Sequence, residues 1–195
     1  MGACRQCPLG PGVQPIVSLA RAPQAMLVGQ APGQTESAGG RPFAGRAGKT
    51  LFKWLARAGF DEATARELLY IAAVTRCYPG PHRAGRGDRV PSPAERARCS
   101  GWLADELRII RPAVIIPVGR LAIESFLGAV PLASVVGQEH HVQHVAGRAV
   151  VIPLPHPSGA SSWIHAPEHK LLLERALELI GVRLGALETP SRSVA

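Results

Sequence analysis

The chain has 195 residues, 46% of them apolar, and a formal net charge of +8 at pH 7. That length suits one domain with one substantial core, and the apolar share excludes wholesale disorder. No stretch approaches the roughly 18 apolar residues of a membrane span, and the start through Cys7 lacks the apolar run of a secretory signal, which points to a cytoplasmic protein with no membrane partner. Arginine supplies the positive charge, since Lys49, Lys53 and Lys170 are the only lysines. A basic surface draws in polyanions, although a genome rich in Arg, Ala, Gly and Pro would produce the same excess.

Apolar runs alternate with helical patterns along the chain. Residues 25–28 are a short buried strand ending at Gly29, and residues 49–59 carry a helical stripe at Leu51, Phe52, Leu55 and Ala58. Residues 69–74 form a second strand. A long amphipathic helix is expected over 91–110, with Ser92 as N-cap, Pro93 at its first position and Glu95 placed for a capping box. Residues 113–118, apolar throughout, are a third strand of the kind covered on both faces. A short helix over 120–127, a fourth strand over 149–153 and a last helix over 167–180 complete the series. This order predicts an α/β fold: a three-layer α/β/α sandwich with a central, mainly parallel four-stranded sheet. A single domain is expected over residues 1–187, with a disordered tail at 188–195. Ligands in such folds bind at the carboxyl ends of the strands.

Three strand ends carry unusual loops. The first is Gly29-Gln30-Ala31-Pro32-Gly33, followed by Glu36 and a glycine-rich stretch containing Phe43. Glycines let backbone approach a ligand, and a helix start favours anions, but the spacing fits neither a phosphate loop nor a dinucleotide fingerprint. Phe43 is placed either to stack on a planar base or to plug the core. The second strand runs into a loop where six arginines lie between Arg76 and Arg98, a pattern suited to phosphate contacts or simply to a solvated face. The fourth strand ends in Pro155-His156-Pro157-Ser158. Prolines on both sides hold His156 rigidly, which suits a group that presents a hydrogen bond to a transition state.

The chain's four cysteines are Cys4, Cys7, Cys77 and Cys99. Disulfides are not expected in the cytoplasm, and the C-x2-C pair of Cys4 and Cys7 has the spacing of a metal grip. Four thiolates suit tetrahedral zinc or a [4Fe–4S] cluster, and spacing does not separate the two.

Together these segments resemble the iron–sulfur, family 4 branch of the uracil-DNA glycosylase superfamily. The resemblance is carried by Gly29-Gln30-Ala31-Pro32-Gly33, Glu36, Gly40, Pro42-Phe43, Gly45, Ala47-Gly48 and Leu51, then by Val74-Thr75-Arg76-Cys77 and Pro91-Ser92-Pro93-Ala94-Glu95 with Cys99. Pro112 to Gly119 and His156-Pro157-Ser158 complete it. It implies a structural [4Fe–4S] cluster on Cys4, Cys7, Cys77 and Cys99, and a damaged DNA base flipped into the strand-end pocket of a monomer. Phe43 would stack on that base, and Gly29 and the amides of the 30–33 loop would contact its edge. Glu36 would orient or activate water, and His156 would stabilise the departing base. The loop from Ser158 to Trp163 would press into the minor groove.

Two positions depart from the family pattern. Gln30 stands where the family usually has Glu, and Ala72-Ala73 replaces Thr-Asn, whose asparagine reads the uracil edge. Three functions therefore compete: a glycosylase acting on uracil or another deaminated base in DNA, a DNA-binding or damage-sensing relative with little catalysis, and a zinc-stabilised enzyme acting on a small phosphorylated metabolite.

Overall fold

The computed structural model describes residues 1–10, 12–20, 23–84, 87–158 and 162–188. Strands β1 (Ala25–Gly29), β2 (Leu69–Ala73), β3 (Val114–Pro117), β4 (His140–His144) and β5 (Gly147–Val151) form one sheet in the order β2-β1-β3-β5-β4. β1 pairs parallel with β2 and β3, and β3 with β5, while β4 runs antiparallel to β5. The sheet thus has five strands rather than the expected four. The added strand is an edge: His140, Val142 and His144 are half-buried while His141 and Gln143 are exposed. Such a polar strand lacks the apolar run that marks the central ones.

Helices α1 (Gln34–Gly39), α2 (Arg46–Arg57), α3 (Glu62–Leu68), α4 (Pro93–Ile110), α5 (Arg120–Leu127) and α6 (Pro167–Glu188) surround the sheet. The two faces of β1 show how it is sandwiched. Ala25 and Leu27 pack with Leu51 and Leu55 of α2 and Leu177 and Ile180 of α6. Met26 and Val28 pack on the other side with Leu107 of α4 and Leu121 and Ala122 of α5. Period-two alternation with apolar residues on both faces is what a central parallel strand requires.

The helix starts follow from local chemistry. Ser92 Oγ accepts from the Glu95 amide while the Glu95 carboxylate accepts from the Ser92 amide, so the expected capping box closes α4. α6 runs on to Glu188, past the end expected at residue 180, because Gly181 does not break it. A Cβ at Gly181 would stand 2.9 Å from the Ala58 carbonyl oxygen, so this glycine permits α6 to cross close to the end of α2. From residue 189 onward, the expected tail lies outside the described residues.

Candidate functional site

Parallel pairing brings the ends of β1, β2 and β3 side by side. Just beyond β3, Val118 and Leu154 form a parallel bridge that carries the 155–158 segment to the same end of the sheet. A cavity of about 340 Å³ opens there. Every substrate-site and catalytic residue expected from the sequence lines it. Gly29, Gln30, Ala31, Pro32 and Gly33 form one wall, Glu36 and Phe43 another, and Ala73, His156 and Ser158 close it.

Glu36 sits in the first turn of α1 and is held at both oxygens. Oε2 accepts the Gly33 amide at 3.0 Å and Oε1 the Gly45 amide at 2.7 Å. One bond caps the helix and the other pins the glycine-rich loop against it. The carboxylate is therefore fixed in place as an acceptor.

Phe43 adopts φ 51, a left-handed conformation that is costly for a bulky side chain. Three features hold it. Arg66 donates to the Pro42 carbonyl at 2.9 Å and to the Phe43 carbonyl at 3.2 Å. A Cβ at Gly48 would overlap the Phe43 carbonyl, and a Cβ at Gly29 would stand 2.9 Å from the Phe43 ring. Only glycine at both positions lets the ring lie across the end of β1.

His156 is half-buried, and burial pushes its imidazole below its ordinary pKa. The Ser158 amide donates to Nδ1 at 3.2 Å, and Ser158 Oγ lies 2.8 Å from the same nitrogen. A backbone N–H can only donate, so Nδ1 accepts and the ring proton sits on Nε2. Among the described residues nothing bonds Nε2, which leaves it as a donor in the cavity wall. Residues 159–161 of the loop expected at the minor groove lie outside the described residues. Beyond them Ser162–His165 forms a 3₁₀ turn, with the Trp163 ring stacked on His169 at 4.1 Å.

Two lining residues carry no motif that marks them in the sequence. Asp88 stands at the mouth, its carboxylate against Gly33, where a Cβ would approach Oδ2 to 2.7 Å. A short hairpin brings it there, with Pro81 bridged to Asp88 and the Arg89 amide donating to the Gly80 carbonyl at 3.0 Å. Ile16 lines the cavity from the N-terminal segment. The arginine cluster also divides. Arg83 and Arg98 are exposed, Arg86 lies outside the described residues, and Arg89 pairs with Glu95. Arg76 is buried against Glu106, whose other oxygen accepts from Tyr70 OH at 2.7 Å, so it is not a surface phosphate contact.

Cys4, Cys7, Cys77 and Cys99 all line a second cavity, of about 190 Å³, beyond the end of β2 and against α4. Burial pushes the Cys77 thiol up to about 11, and Cys99, Cys7 and Cys4 beside it push in the same direction. Burial pushes the Cys99 thiol up as well, partly opposed by the Arg76 amide, which donates to its Sγ at 3.3 Å. Among the described residues no three His, Cys, Asp or Glu groups lie close enough to grip a single ion. The four thiols line one space, and their soft donor set suits a metal centre such as an iron–sulfur cluster.

The sequence pattern described as the uracil DNA glycosylase superfamily matches residues 18–178, a stretch that includes Cys77 and Cys99 but starts after Cys4 and Cys7. A Type-4 uracil-DNA glycosylase of Thermotoga maritima is 34% identical over 133 residues, covering 68% of this chain and 64% of that protein. A Type-4 uracil-DNA glycosylase of Archaeoglobus fulgidus is 32% identical over 165 residues, covering 82% of this chain and 76% of that protein. A Type-5 uracil-DNA glycosylase of Pyrobaculum aerophilum is 29% identical over 144 residues, 60% of its length.

Proposed function

This chain belongs to the uracil DNA glycosylase superfamily, and from that premise we propose that it is a DNA-repair hydrolase that cleaves the N-glycosidic bond of uracil or another deaminated base flipped out of DNA. The observation that carries this reading is the meeting of Phe43, the 29–33 loop and the free Nε2–H of His156 in one strand-end cavity. The single glycosylase domain spans residues 1–187 and acts as a monomer in the cytoplasm.

The chemistry follows from the groups present. The base lies on Phe43 with its carbonyl edge toward the loop amides. As the C1′–N bond breaks, its electron pair stays with the base, and His156 Nε2–H donates to the oxygen where that charge gathers. A neutral donor suits this step, since the ring is uncharged near pH 7. Glu36, anchored by two amides, orients the attacking water, and Asp88 at the open side accepts its proton as oxygen bonds to C1′. Cys4, Cys7, Cys77 and Cys99 would hold a [4Fe–4S] cluster, whose contribution would be structural, tying the N-terminal segment to the chain after β2 and to α4.

One observation favours a second reading. Ala73 offers the base edge no hydrogen bond, as expected of a damage-sensing relative with little catalysis. Assays on single- and double-stranded oligonucleotides carrying uracil, hypoxanthine or xanthine separate the two. Release of any of these bases supports the glycosylase, and tight binding without release supports the sensor. DNA binding of either kind should fall linearly with salt on a log–log plot.

A further inference from the structure

We propose that the N-terminal segment following Cys7 is a strap that couples the cysteine centre to the base pocket, and that Ile16 on it is a shape-selecting wall of that pocket. The proposal rests on the assignments of the two cavities made above.

One stretch of chain serves both cavities. Leu9, Gly10, Val13 and Pro15 line the cysteine cavity, and the next residue, Ile16, lines the base cavity. Among the described residues no helix or strand forms before Ala25, so they form no ladder of their own. The placement of the segment is nevertheless selective: Ile16 is 7% exposed, while Leu19, three residues on, is 94% exposed.

Two hydrogen bonds dock the strap, one on the edge strand β2 and one on the chain just past its end. The Ile16 amide donates to the Arg76 carbonyl at 2.8 Å, and Ser18 Oγ accepts the Ile71 amide at 3.2 Å. Arg76 is the shared anchor. Its carbonyl takes Ile16 and its amide reaches Cys99 Sγ at 3.3 Å. A segment docked by so few bonds opens readily on its own. Fixing Cys4 and Cys7 to the same centre as Cys77 and Cys99 closes it into a loop and reduces the freedom it gains on release.

The wall matters because of what surrounds it. Ile16 shares the cavity lining with Ile71, Ala72 and Ala73, none of which has a side-chain hydrogen-bonding group. Selection on this side is therefore by shape. Removing Ile16, or the strap that carries it, enlarges the pocket without touching Phe43, His156 or Asp88.

Hydrogen exchange on the metal-loaded protein reads the docking directly, through the Ile16 and Ile71 amides. In Cys4→Ser/Cys7→Ser both should exchange on the order of ten-fold faster, with Ile115 and Ile116 in β3 unchanged. Chelating the metal from wild type makes the same comparison where the variant fails to fold. Unchanged protection at Ile16 and Ile71 after metal loss would overturn the coupling. For the wall, Ile16→Ala with full metal content should raise KM for uracil-containing DNA roughly ten-fold with little change in kcat, and shift the relative preference from uracil toward the larger hypoxanthine. Unchanged KM and preference would overturn it. If wild type releases no base, the glycosylase reading fails separately. The exchange comparison still decides the coupling, and protection of the Ile16 amide by added uracil-containing DNA, present or absent, decides the wall.

Discussion

Arg89 and Glu95 are joined by two hydrogen bonds, Nη1 to Oε2 at 2.8 Å and Nη2 to Oε1 at 2.6 Å. This fork ties the hairpin at the mouth of the base cavity to the start of the helix that carries Cys99. The paired guanidinium, with the Ser92 amide, holds the Glu95 carboxyl down at about 2, against an ordinary value of 4.5. A depressed carboxyl stabilises the fold fully above its unfolded pKa and loses that effect as pH falls through its folded one. Glu95→Gln should therefore cost about 1–3 kcal/mol at neutral pH. In urea unfolding across a pH series, the gap between wild type and variant should persist down to about pH 4.5 and close as pH falls toward about 2. A gap that stays constant through that window would remove Glu95 as its source.

Glu36 and Asp88 are separable by experiment because they are held differently. Glu36→Gln replaces one of two accepting oxygens with an NH2 group that cannot accept from Gly33 or Gly45. It should loosen the 39–45 loop, read as faster proteolysis there, and lower the single-turnover rate. Asp88→Asn should lower that rate by roughly 10²–10⁴ if it removes the general base, with the loop left as tight as before. Full activity in Asp88→Asn would return proton acceptance to Glu36.

For His156 the pH dependence has a definite sign. Burial disfavours the imidazolium, so the folded pKa lies below the ordinary 6.5. The neutral Nε2–H form therefore predominates at pH 6.5, and the rate should fall as acidification protonates the ring, at a pH lower than an ordinary histidine would give. Stability follows the same direction, because below pH 6.5 the unfolded chain takes up a proton that the folded one resists. His156→Ala should lose roughly 10²–10³ in rate and keep its fold and metal. A rate that rises on acidification through pH 6 would show that imidazolium is the active form.

The parts of this molecule that were legible in the sequence are those where local pattern and tertiary role coincide. The apolar runs of β1 and β3 mark buried parallel strands, and Ser92 with Glu95 marks the start of α4. The 29–33 loop and the 155–158 segment with His156 follow their strands closely in sequence, so a parallel sheet brings both to one end. What was not legible depends on distant chain. β4 is polar and is a strand only because β5 offers it an edge. Asp88 and Ile16 reach the cavity through an irregular hairpin and an irregular strap, neither with periodicity to read. Arg66 holds the Phe43 turn from α3, 23 residues away.

The last prediction concerns Ala73. β2 pairs with β1 in register, Ala73 opposite Gly29, so its side chain lies at the end of the sheet where the base cavity begins. The family asparagine at this position offers a carbonyl and an amide that match the uracil edge, and alanine offers neither. A base edge left without partners in a desolvated pocket loses roughly 1–3 kcal/mol per unsatisfied group. Sites that hydrogen-bond a substrate discriminate by large factors, and sites that hold it by shape and stacking do not. Phe43, Ile16 and the loop amides still accept a planar base, so the wild type should excise uracil slowly, or favour another deaminated base, or both. Ala73→Asn should restore preference for uracil, by roughly ten-fold or more for each hydrogen bond gained. Ala73 is half-buried at the strand's last residue, so the larger side chain has room to turn into the cavity rather than into the core. The measurement is kcat/KM for uracil, hypoxanthine and xanthine in both proteins. If wild type already removes uracil with strong selectivity and Ala73→Asn changes neither rate nor preference, the uracil edge is read by the 29–33 loop instead, and residue 73 has no part in recognition.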